Sequence, residues 1–456
     1  MNGLLVDMNL VKKYSTEVFM YVEYPHKSFW SLEFKEEDFK TALEDLFLRR
    51  KDIPLLLYVH IPFCLQQCLY CTCRTVITRN YEKIKSYLNL LLREIDLFRN
   101  LFDKNSVTPN FREVHIGGGS PTILHEEEFD LLIDKLQSIA EIKNLSEFAL
   151  EIDPRGMTKE KLRYYRSRGI NRISFGVQEF DLNVQKAVNR VQPPELLEEL
   201  LTPEIKNLFT GVNFDILCGL PRQNRESFRK TIDIVTKFSP ERIALLTMCY
   251  SPEFSKHQKL MNKSEIPDLC ERTTFFLEST QTLLNNGYVR VGLEHFAKPT
   301  DDLSKAAENK MLFWCGLGYT PGRYHNVIGL GTSSTSVIGD CYAHNVYELS
   351  NYEAAVTNNV FPIYRGHKMS NDDVIRGDII KALRSYFSLD YRQIEEKYDI
   401  EFEIYFKEEI AALDEFVKDG LVELSDNTIT ITELGKVFTG FVCRNFDRYV
   451  AVAQTA

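Results

Sequence analysis

Short apolar runs alternate with longer amphipathic stretches along the middle of the chain, between residues 55 and 299. The runs predict strands and the stretches predict helices, two of which are clear at 81–101 and 126–140. The predicted strands span 55–61, 112–119, 148–154, 172–178, 211–219, 242–248 and 288–296. Several are almost continuously apolar, which is typical of parallel strands buried on both faces. The alternation therefore predicts an α/β protein with a closed or nearly closed (β/α) barrel, whose chemistry lies at the carboxyl ends of the strands.

The alternation stops on both sides of this region. Residues 1–54 are rich in aromatic side chains, and residues 370–456 have a mostly helical pattern with a hairpin predicted at 420–432, which resembles a small winged-helix module. We expect four parts. These are a segment that covers the substrate (1–54), the barrel (55–300), a connecting region that completes the active site (301–369) and a small, mainly helical C-terminal module (370–456).

The charge balance and the longest apolar runs limit the possible partners. The 456 residues carry a formal charge of −10, which argues against a general nucleic-acid binder, because phosphate contact needs a basic surface. No apolar run approaches the roughly 20 residues of a membrane span, and Asp7 interrupts what would be the apolar core of a signal peptide. We expect a cytoplasmic protein with no nucleic-acid partner and at most peripheral membrane contact.

Four of the ten cysteines lie within ten positions, directly after the first predicted strand: Cys64, Cys68, Cys71 and Cys73. Three thiolates on one short loop can hold three irons of a 4Fe–4S cluster, which leaves the fourth iron an open coordination position. Two alternatives compete with this interpretation. A zinc site is typically built from two ligand pairs, and no second Cys or His pair follows this loop. Buried structural thiols are the other alternative.

The segment YVHIPFCLQQCLYC (58–71) resembles the cluster loop of the radical S-adenosylmethionine (SAM) superfamily. In particular, the chain resembles the oxygen-independent coproporphyrinogen III oxidase family over nearly its whole length. The matching motifs include GGGSPT (117–122), EIDPRG (151–156), GINRISFGVQEF (169–180), NFDILCGLP (213–221) and VIGDCYAHN (337–345). The resemblance implies a partial (β/α) barrel of the radical SAM type with a small, mainly helical C-terminal module.

The resemblance also implies cofactors and residues that bind them. Cys64, Cys68 and Cys71 would bind a 4Fe–4S cluster whose open iron chelates one SAM, and a second SAM would bind beside the first. Cys73 matches the family's additional cysteine, which is not a ligand, and it is the one candidate catalytic residue. The first SAM would contact Tyr58, Gly118, Glu151 and Thr335. The second would contact Tyr70, Gly119, Ser120, Gln178, Arg190, Asp215 and Cys249. The electron would come from a donor such as flavodoxin or ferredoxin.

These residue types suit the ligands that the resemblance assigns to them. Glycines let backbone N–H groups approach a ligand closely, although a tight turn explains them as well. Arg190 can pair bidentately with a carboxylate. Gln178 places a polar group at the end of an apolar strand, where it needs a partner. For His60, His115 and His295, which also end predicted strands, we expect structural hydrogen bonds rather than proton transfer.

The substrate side departs from the family pattern. The family's Pro-Arg-Tyr-Thr-Ser-Tyr-Pro segment has Met20 in place of Arg and Glu23 in place of Ser, and Leu317 replaces a Gln. Arg323 is a possible replacement cation. Coproporphyrinogen carries four carboxylates, so the loss of a cation and the gain of an anion disfavour it.

We therefore expect a small aromatic substrate without carboxylates and a class C radical SAM methyltransferase that methylates an sp² carbon, with the menaquinone ring as the preferred quinone. The alternative is a porphyrinogen substrate and oxidative decarboxylation of coproporphyrinogen III, or another anaerobic haem-modifying reaction. A haem carrier and a purely structural iron–sulfur protein are the non-enzymatic alternatives.

Overall fold

The computed structural model describes residues 8–14, 23–49, 52–316, 318–322 and 326–449. The strands are β1 (Pro54–Ile61), β2 (Phe63–Cys64), β3 (Val76–Ile77), β4 (Asn110–Gly118), β5 (Glu147–Ile152), β6 (Arg172–Gln178), β7 (Gly211–Cys218), β8 (Arg242–Thr247), β9 (Val289–Val291), β10 (His295–Ala297), β11 (Phe313–Cys315), β12 (Gly318–Thr320), β13 (Val327–Leu330), β14 (Thr335–Ile338), β15 (Cys341–Asn345), β16 (Ile363–Lys368), β17 (Ser388–Asp390), β18 (Val422–Ser425) and β19 (Thr428–Ile431).

The α-helices are α1 (Met8–Lys13), α2 (Glu36–Arg49), α3 (Tyr81–Lys104), α4 (Glu126–Leu136), α5 (Lys159–Ser167), α6 (Leu182–Ala187), α7 (Pro194–Leu200), α8 (Pro203–Lys206), α9 (Arg225–Phe238), α10 (Leu269–Asn285), α11 (Asp302–Glu308), α12 (Leu349–Thr357), α13 (Asn371–Tyr386), α14 (Tyr391–Tyr398), α15 (Phe402–Tyr405), α16 (Lys407–Ala412), α17 (Asp414–Lys418) and α18 (Thr439–Arg444). The chain divides into two compact units. The larger consists of residues 31–267 and 324–368, and the smaller of 1–30, 268–323 and 369–456.

The larger unit is built on strands that lie side by side in the order β16, β15, β14, β13, β1, β4, β5, β6, β7 and β8. Seven consecutive strands, from β13 to β8 in that order, pair in parallel, while β14, β15 and β16 are antiparallel to their neighbours. Helices connect successive parallel strands, as βαβ units require. The predicted α/β class with a partial (β/α) barrel is confirmed.

The longest helix, α3, shows why the amphipathic stretches fold as they do. Asn80 caps it by accepting a hydrogen bond from the backbone N–H of Glu82 (3.1 Å). Leu88, Leu91 and Ile95 recur at helical spacing and are all buried. The helix thus covers the sheet with one apolar stripe, and its polar face remains on the other side.

The smaller unit has its own core, which includes Val11, Tyr24, Ile379, Leu383 and Val442. In its C-terminal part, β17, β19 and β18 form an antiparallel sheet, of which β18 and β19 are the hairpin that the sequence predicts. Helices precede and follow these strands along the chain, in agreement with a mainly helical module.

One predicted strand differs from expectation. The segment 288–296 is not a single strand, because β9 and β10 form an antiparallel hairpin. Gly292 has φ of +57°, in the left-handed region, and a Cβ at this position would collide with the ring of Tyr319. Apolar and charged residues alternate in this segment as they do in a single strand, so only the glycine marks the turn. Among the described residues, no helix is long and apolar enough to cross a membrane.

Candidate active site

The loop after β1 brings the clustered cysteines together. The backbone N–H of Cys71 donates to the carbonyl of Cys68 (3.2 Å), which closes a tight turn. Cys68 is buried, Cys64 and Cys71 are partly buried, and Cys73 is exposed. Burial and the neighbouring sulfurs of Cys71 and Cys68 raise the pKa of Cys64 to about 12. A hydrogen bond from Cys73 lowers the pKa of Cys71 to about 7, against the effect of burial.

Two side chains of a 3₁₀ helix, Lys256–Leu260, donate hydrogen bonds to this loop. Gln258 is fully buried and donates to the carbonyl oxygens of Tyr70 (3.0 Å) and Cys249 (2.9 Å). The neighbouring His257 donates through Nε2 to the carbonyl of Cys71 (2.7 Å). The cysteine loop is therefore fixed by hydrogen bonds from a segment almost 190 residues later in the chain.

Two guanidinium groups lie beside Cys68. Nη1 of Arg190 is 3.4 Å and Nη2 of Arg155 is 3.7 Å from its sulfur, and Asp153 bridges the two arginines (3.3 and 2.6 Å). Burial disfavours the charged form of Asp153, but Arg190 and Arg155 outweigh it and hold the pKa of this carboxyl below its usual value. Cations at this position stabilise a thiolate. The residues present thus fit a negatively charged, thiolate-ligated group such as a 4Fe–4S cluster.

In the described part of the chain, no three His, Cys, Asp or Glu side chains converge as ligands of one metal ion would. The thiolates that hold a 4Fe–4S cluster each bind a different iron, so they need not converge on one point.

Tyr58, His115 and Glu151 lie on neighbouring strands at the same end of the sheet. Tyr58 is paired in register with His115, and its hydroxyl hydrogen-bonds Nδ1 of His60 (2.9 Å). Nε2 of His115 donates to Glu151 (3.1 Å), which also accepts the backbone N–H of Gly118 (2.9 Å). Burial opposes ionisation of Glu151, but these two donors hold its pKa below the usual value. Burial disfavours the charged form of His115, but the pairing with Glu151 outweighs it and raises the pKa of this imidazole.

The glycine motif at the end of β4 has a structural requirement of its own. Gly118 has φ of +112°, and a Cβ there would lie 2.6 Å from the ring of His60. A Cβ on Gly119 would lie 2.7 Å from the backbone oxygen of Phe63, to which Ser120 donates its N–H (2.8 Å). Packing against the start of the cysteine loop therefore already demands two of the glycines.

Gln178 is the last residue of β6, and Asp215 lies on the neighbouring strand β7. Burial and the nearby Glu151 raise the pKa of Asp215 to about 6, although Asn213 and Ser174 donate to it (2.8 and 3.3 Å). Gln178 has φ of +66°, at an irregularity of the β6–β7 pairing, and its buried Oε1 has no hydrogen-bond partner. A strained residue with an unsatisfied buried acceptor is a feature typical of binding sites.

The other predicted residues lie further from these contacts. Thr335 begins β14 and hydrogen-bonds Nδ1 of the buried His344 (2.9 Å). Tyr70 packs against a small apolar cluster that includes Val184 and Leu220. Cys249 is exposed, and its sulfur lies 3.2 Å from the hydroxyl of Ser251.

All the predicted site residues belong to the larger unit, and direct contacts join Glu151 with Gly118 and Arg190 with Cys68. Sequence reasoning did not identify the partners Asp153, Arg155 and Gln258. The first two lie inside the EIDPRG motif, which was a signal, whereas Gln258 lies in the 3₁₀ helix Lys256–Leu260, whose sequence matches none of the motifs.

The parallel barrel and the cysteine loop at the carboxyl end of its first strand define a radical SAM protein. The sequence model of the radical SAM superfamily matches residues 58–235. Members of this superfamily use a 4Fe–4S cluster and SAM, and the geometry around Cys68 fits that cofactor set.

The similarity to individual proteins is more specific. The chain is 34% identical over 444 residues to the oxygen-independent coproporphyrinogen III oxidase of Escherichia coli, a match that covers 97% of this chain and 95% of that protein. The corresponding enzyme of Helicobacter pylori is 33% identical over 98% of this chain and 97% of its own. The solved structure of coproporphyrinogen III oxidase from Escherichia coli, a radical SAM enzyme, superposes with a TM-score of 0.90 at 33% identity, over 98% of this chain and 100% of that chain. The chain belongs to the oxygen-independent coproporphyrinogen III oxidase family.

The expectation of a methyltransferase acting on menaquinone is wrong, because relatives that match nearly the full chain are coproporphyrinogen III oxidases. The expectation depended on single replacements in the substrate region. Of these, the Glu23 carboxylate accepts the backbone N–H of Lys27 (3.3 Å), so it already has a donor within its own segment. Met20, Leu317 and Arg323 lie outside the described residues.

Proposed function

We propose that this chain catalyses the oxygen-independent oxidation of coproporphyrinogen III to protoporphyrinogen IX. The observation that carries the proposal is the 33–34% identity to coproporphyrinogen III oxidases over nearly the full length of both chains. For each of two propionate side chains, a hydrogen atom leaves the β-carbon and carbon dioxide is lost. One electron then passes to a one-electron acceptor, and a vinyl group remains.

Cys64, Cys68 and Cys71 would hold the cluster in this reaction. When bound, the reduced cluster and SAM supply a carbon radical able to abstract the hydrogen atom from the propionate. The role of the protein is to orient the reactants and to stabilise their charges. Arg190 and Arg155 serve the second purpose, since they place positive charge beside the Cys68 ligand.

The eleven remaining site residues are proposed to bind two SAM molecules. The first would contact Tyr58, Gly118, Glu151 and Thr335, and the second Tyr70, Gly119, Ser120, Gln178, Arg190, Asp215 and Cys249. The unsatisfied Oε1 of Gln178 supports this assignment, because a SAM ammonium or hydroxyl group would supply the missing donor. Arg190 was expected to pair bidentately with a carboxylate of the ligand. Its guanidinium already donates to the backbone oxygen of Gly176 (2.6 Å) and to Asp153 (3.3 Å), so fewer of its N–H groups remain for the ligand.

Three further expectations belong to this proposal. The electron would come from a small donor protein such as flavodoxin or ferredoxin. Cys73, which hydrogen-bonds Cys71, would act near the reacting groups without binding iron. The division into a covering segment (1–54), a barrel (55–300), a connecting region (301–369) and a C-terminal module (370–456) stays a prediction.

An anaerobic turnover assay tests the function. The reconstituted protein would receive SAM, dithionite, coproporphyrinogen III and a one-electron acceptor, with Cys71→Ala as the matched control. We expect release of carbon dioxide and formation of protoporphyrinogen, both absent from the control. Formation of 5′-deoxyadenosine without any loss of carbon dioxide from the porphyrinogen would contradict the proposal while leaving the cofactor assignment intact.

A further inference from the structure

Two arginines of the larger unit, Arg74 and Arg365, contact the same tyrosine, Tyr347. The guanidinium carbon of Arg74 lies 5.2 Å from the ring centre of Tyr347. Nη2 of Arg365 donates to the hydroxyl of the same tyrosine (3.1 Å). One tyrosine therefore contacts two guanidinium groups, one through its ring and one through its hydroxyl.

These two cations have no anionic partner among the residues that the structure describes. Nε of Arg365 is buried and has no hydrogen-bond partner. Several other arginines of the same unit are paired with carboxylates. For example, Arg155 contacts Asp153 at 2.6 Å. A buried N–H without an acceptor is unfavourable, and like charges that contact the same side chain repel each other. The two arginines thus suit an anionic ligand.

The arginine pair lies beside the proposed cofactor residues. Arg74 directly follows Cys73 in the cysteine loop. Arg365 is paired in register with His344 on β15, and His344 is paired in turn with Thr335 on β14. His344 also hydrogen-bonds Thr335 (2.9 Å). The register therefore places Arg365 two strands away from Thr335, which is proposed to contact the first SAM, with His344 between them.

Aromatic rings surround the same position. Tyr347 and Tyr364 meet edge to face at 5.5 Å, and the Arg365 guanidinium lies 5.7 Å from the ring centre of Tyr364. The ring of His344 lies 4.8 Å from that of Tyr347. Tyr364 is 38% exposed, so part of its ring is available to a ligand. Exposed aromatic rings next to unpaired guanidinium groups suit a ligand with both a ring system and carboxylates.

We propose that Arg74 and Arg365, positioned by Tyr347, form a carboxylate-binding site for a propionate group of the macrocyclic substrate. The inference rests on the proposed function, because it assigns residues to the substrate of that reaction. It also gives a physical reason why the replacement at Met20 does not exclude a substrate with four carboxylates. A cation lost from one segment matters little when other segments supply cations to the same ligand.

A binding experiment separates charge recognition from catalysis. The probe is coproporphyrin III, the stable oxidised form of the substrate, titrated by fluorescence against the reconstituted protein, and its tetramethyl ester is the uncharged comparison. We expect Arg74→Gln and Arg365→Gln each to raise the Kd for coproporphyrin about tenfold or more, and to leave the Kd for the ester unchanged. Arg229→Gln, at an exposed position on α9, is the matched control and should bind the probe like the unmodified protein.

Two further variants address the partly buried Arg365. Arg365→Lys keeps the charge but not the fork of donors, and should lie between the unmodified protein and Arg365→Gln. Tyr347→Phe removes the acceptor that orients Arg365 and should weaken coproporphyrin binding with little effect on the ester. Iron content and thermal unfolding show whether each variant folds. If the Arg365 variants do not fold, Arg74→Gln still tests the site, because Arg74 is exposed and its replacement should not disturb folding.

The possible outcomes distinguish the two proposals. If the unmodified protein releases carbon dioxide from coproporphyrinogen but Arg74→Gln and Arg365→Lys bind coproporphyrin as tightly as it does, the carboxylate site is wrong and the proposed function stands. If the unmodified protein neither binds coproporphyrin nor releases carbon dioxide, the proposed function is wrong, and the carboxylate site that rests on it is wrong as well. Equal losses of coproporphyrin and ester affinity would indicate a structural role for the arginines and would also overturn the inference.

Discussion

Gln178 ends β6 with a left-handed backbone and a buried oxygen that lacks a donor. An unsatisfied buried acceptor costs about 1–3 kcal/mol, whereas an apolar side chain of similar shape avoids this cost. We expect Gln178→Met to leave the free energy of unfolding unchanged or to raise it by about 1 kcal/mol, and to weaken SAM binding. Chemical denaturation and equilibrium dialysis with SAM would check the two effects. A variant that is clearly less stable but binds SAM normally would show that Gln178 has only a structural role.

Cys71 and Cys73 are separated by one residue, but we expect different results from replacing each of them. Cys71 is one of three proposed iron ligands, whereas Cys73 is exposed and donates a hydrogen bond to Cys71. Cys71→Ala should lose the cluster, measured as bound iron and as the visible absorption of anaerobically reconstituted protein. Cys73→Ala should keep both, since three ligands remain. Equal loss of iron from the two variants would mean that Cys73 is a ligand and that the triplet is assigned wrongly.

At the level of elements, Glu94 on α3 joins three parts of the larger unit. Its buried carboxylate accepts hydrogen bonds from Tyr352 on α12 (2.6 Å), from Asn345 on β15 (2.9 Å) and from the backbone of Gly331 after β13 (2.7 Å). Burial is the dominant influence and raises the pKa of Glu94 from 4.5 to about 7 in spite of these donors. The folded protein therefore binds this proton more tightly than the unfolded chain does.

The sign of the resulting pH dependence follows directly. Between pH 4.5 and about pH 7, the folded state holds a proton that the unfolded state has lost, so stability falls as pH rises. Glu94→Gln cannot titrate, so its free energy of unfolding should change less steeply with pH in this window, by up to about 1.4 kcal/mol per unit. Denaturation series at several pH values would measure the slopes, with Glu127→Gln on the exposed face of α4 as control. Parallel slopes for Glu94→Gln and the unmodified protein would contradict the assignment.

The strands and helices show which features the sequence could predict. The parallel strands were found because burial on both faces leaves long apolar runs, and the cysteine loop because its ligands are neighbours in sequence. The hairpin of β9 and β10 was missed because apolar residues alternate with charged ones through both strands as they do in a single strand, and only Gly292 marks the turn. The pair of His115 and Glu151 could not be predicted either, since its members are 36 residues apart and meet only through the alignment of β4 and β5.

At the scale of the whole molecule, the substrate shows how far local replacements mislead. Met20 and Glu23 suggested a ligand without carboxylates, but full-length similarity identifies a family of enzymes named for a carboxylate-bearing porphyrinogen. Recognition of a large ligand is distributed over distant segments, and Arg74 and Arg365 illustrate this, since they are almost 300 residues apart and contact the same tyrosine. A single segment of sequence therefore does not determine which ligand the assembled site prefers.

The net charge of the chain leads to a prediction about salt. A protein of charge −10 repels a tetracarboxylate at long range, while Arg74 and Arg365 would attract it at contact. Raising the ionic strength from about 0.01 M to about 0.1 M shortens the Debye length from about 30 Å to about 10 Å, which removes most of the repulsion but also weakens the attraction of the exposed Arg74. In Arg74→Gln only the repulsion and the less exposed Arg365 remain, so its Kd for coproporphyrin III should fall more steeply with salt than that of the unmodified protein. Fluorescence titrations over this range would measure both slopes, and the tetramethyl ester should show almost no salt dependence. Identical slopes for the two proteins would mean that Arg74 does not meet a carboxylate, because a charge that contacts the ligand must contribute to the response to salt.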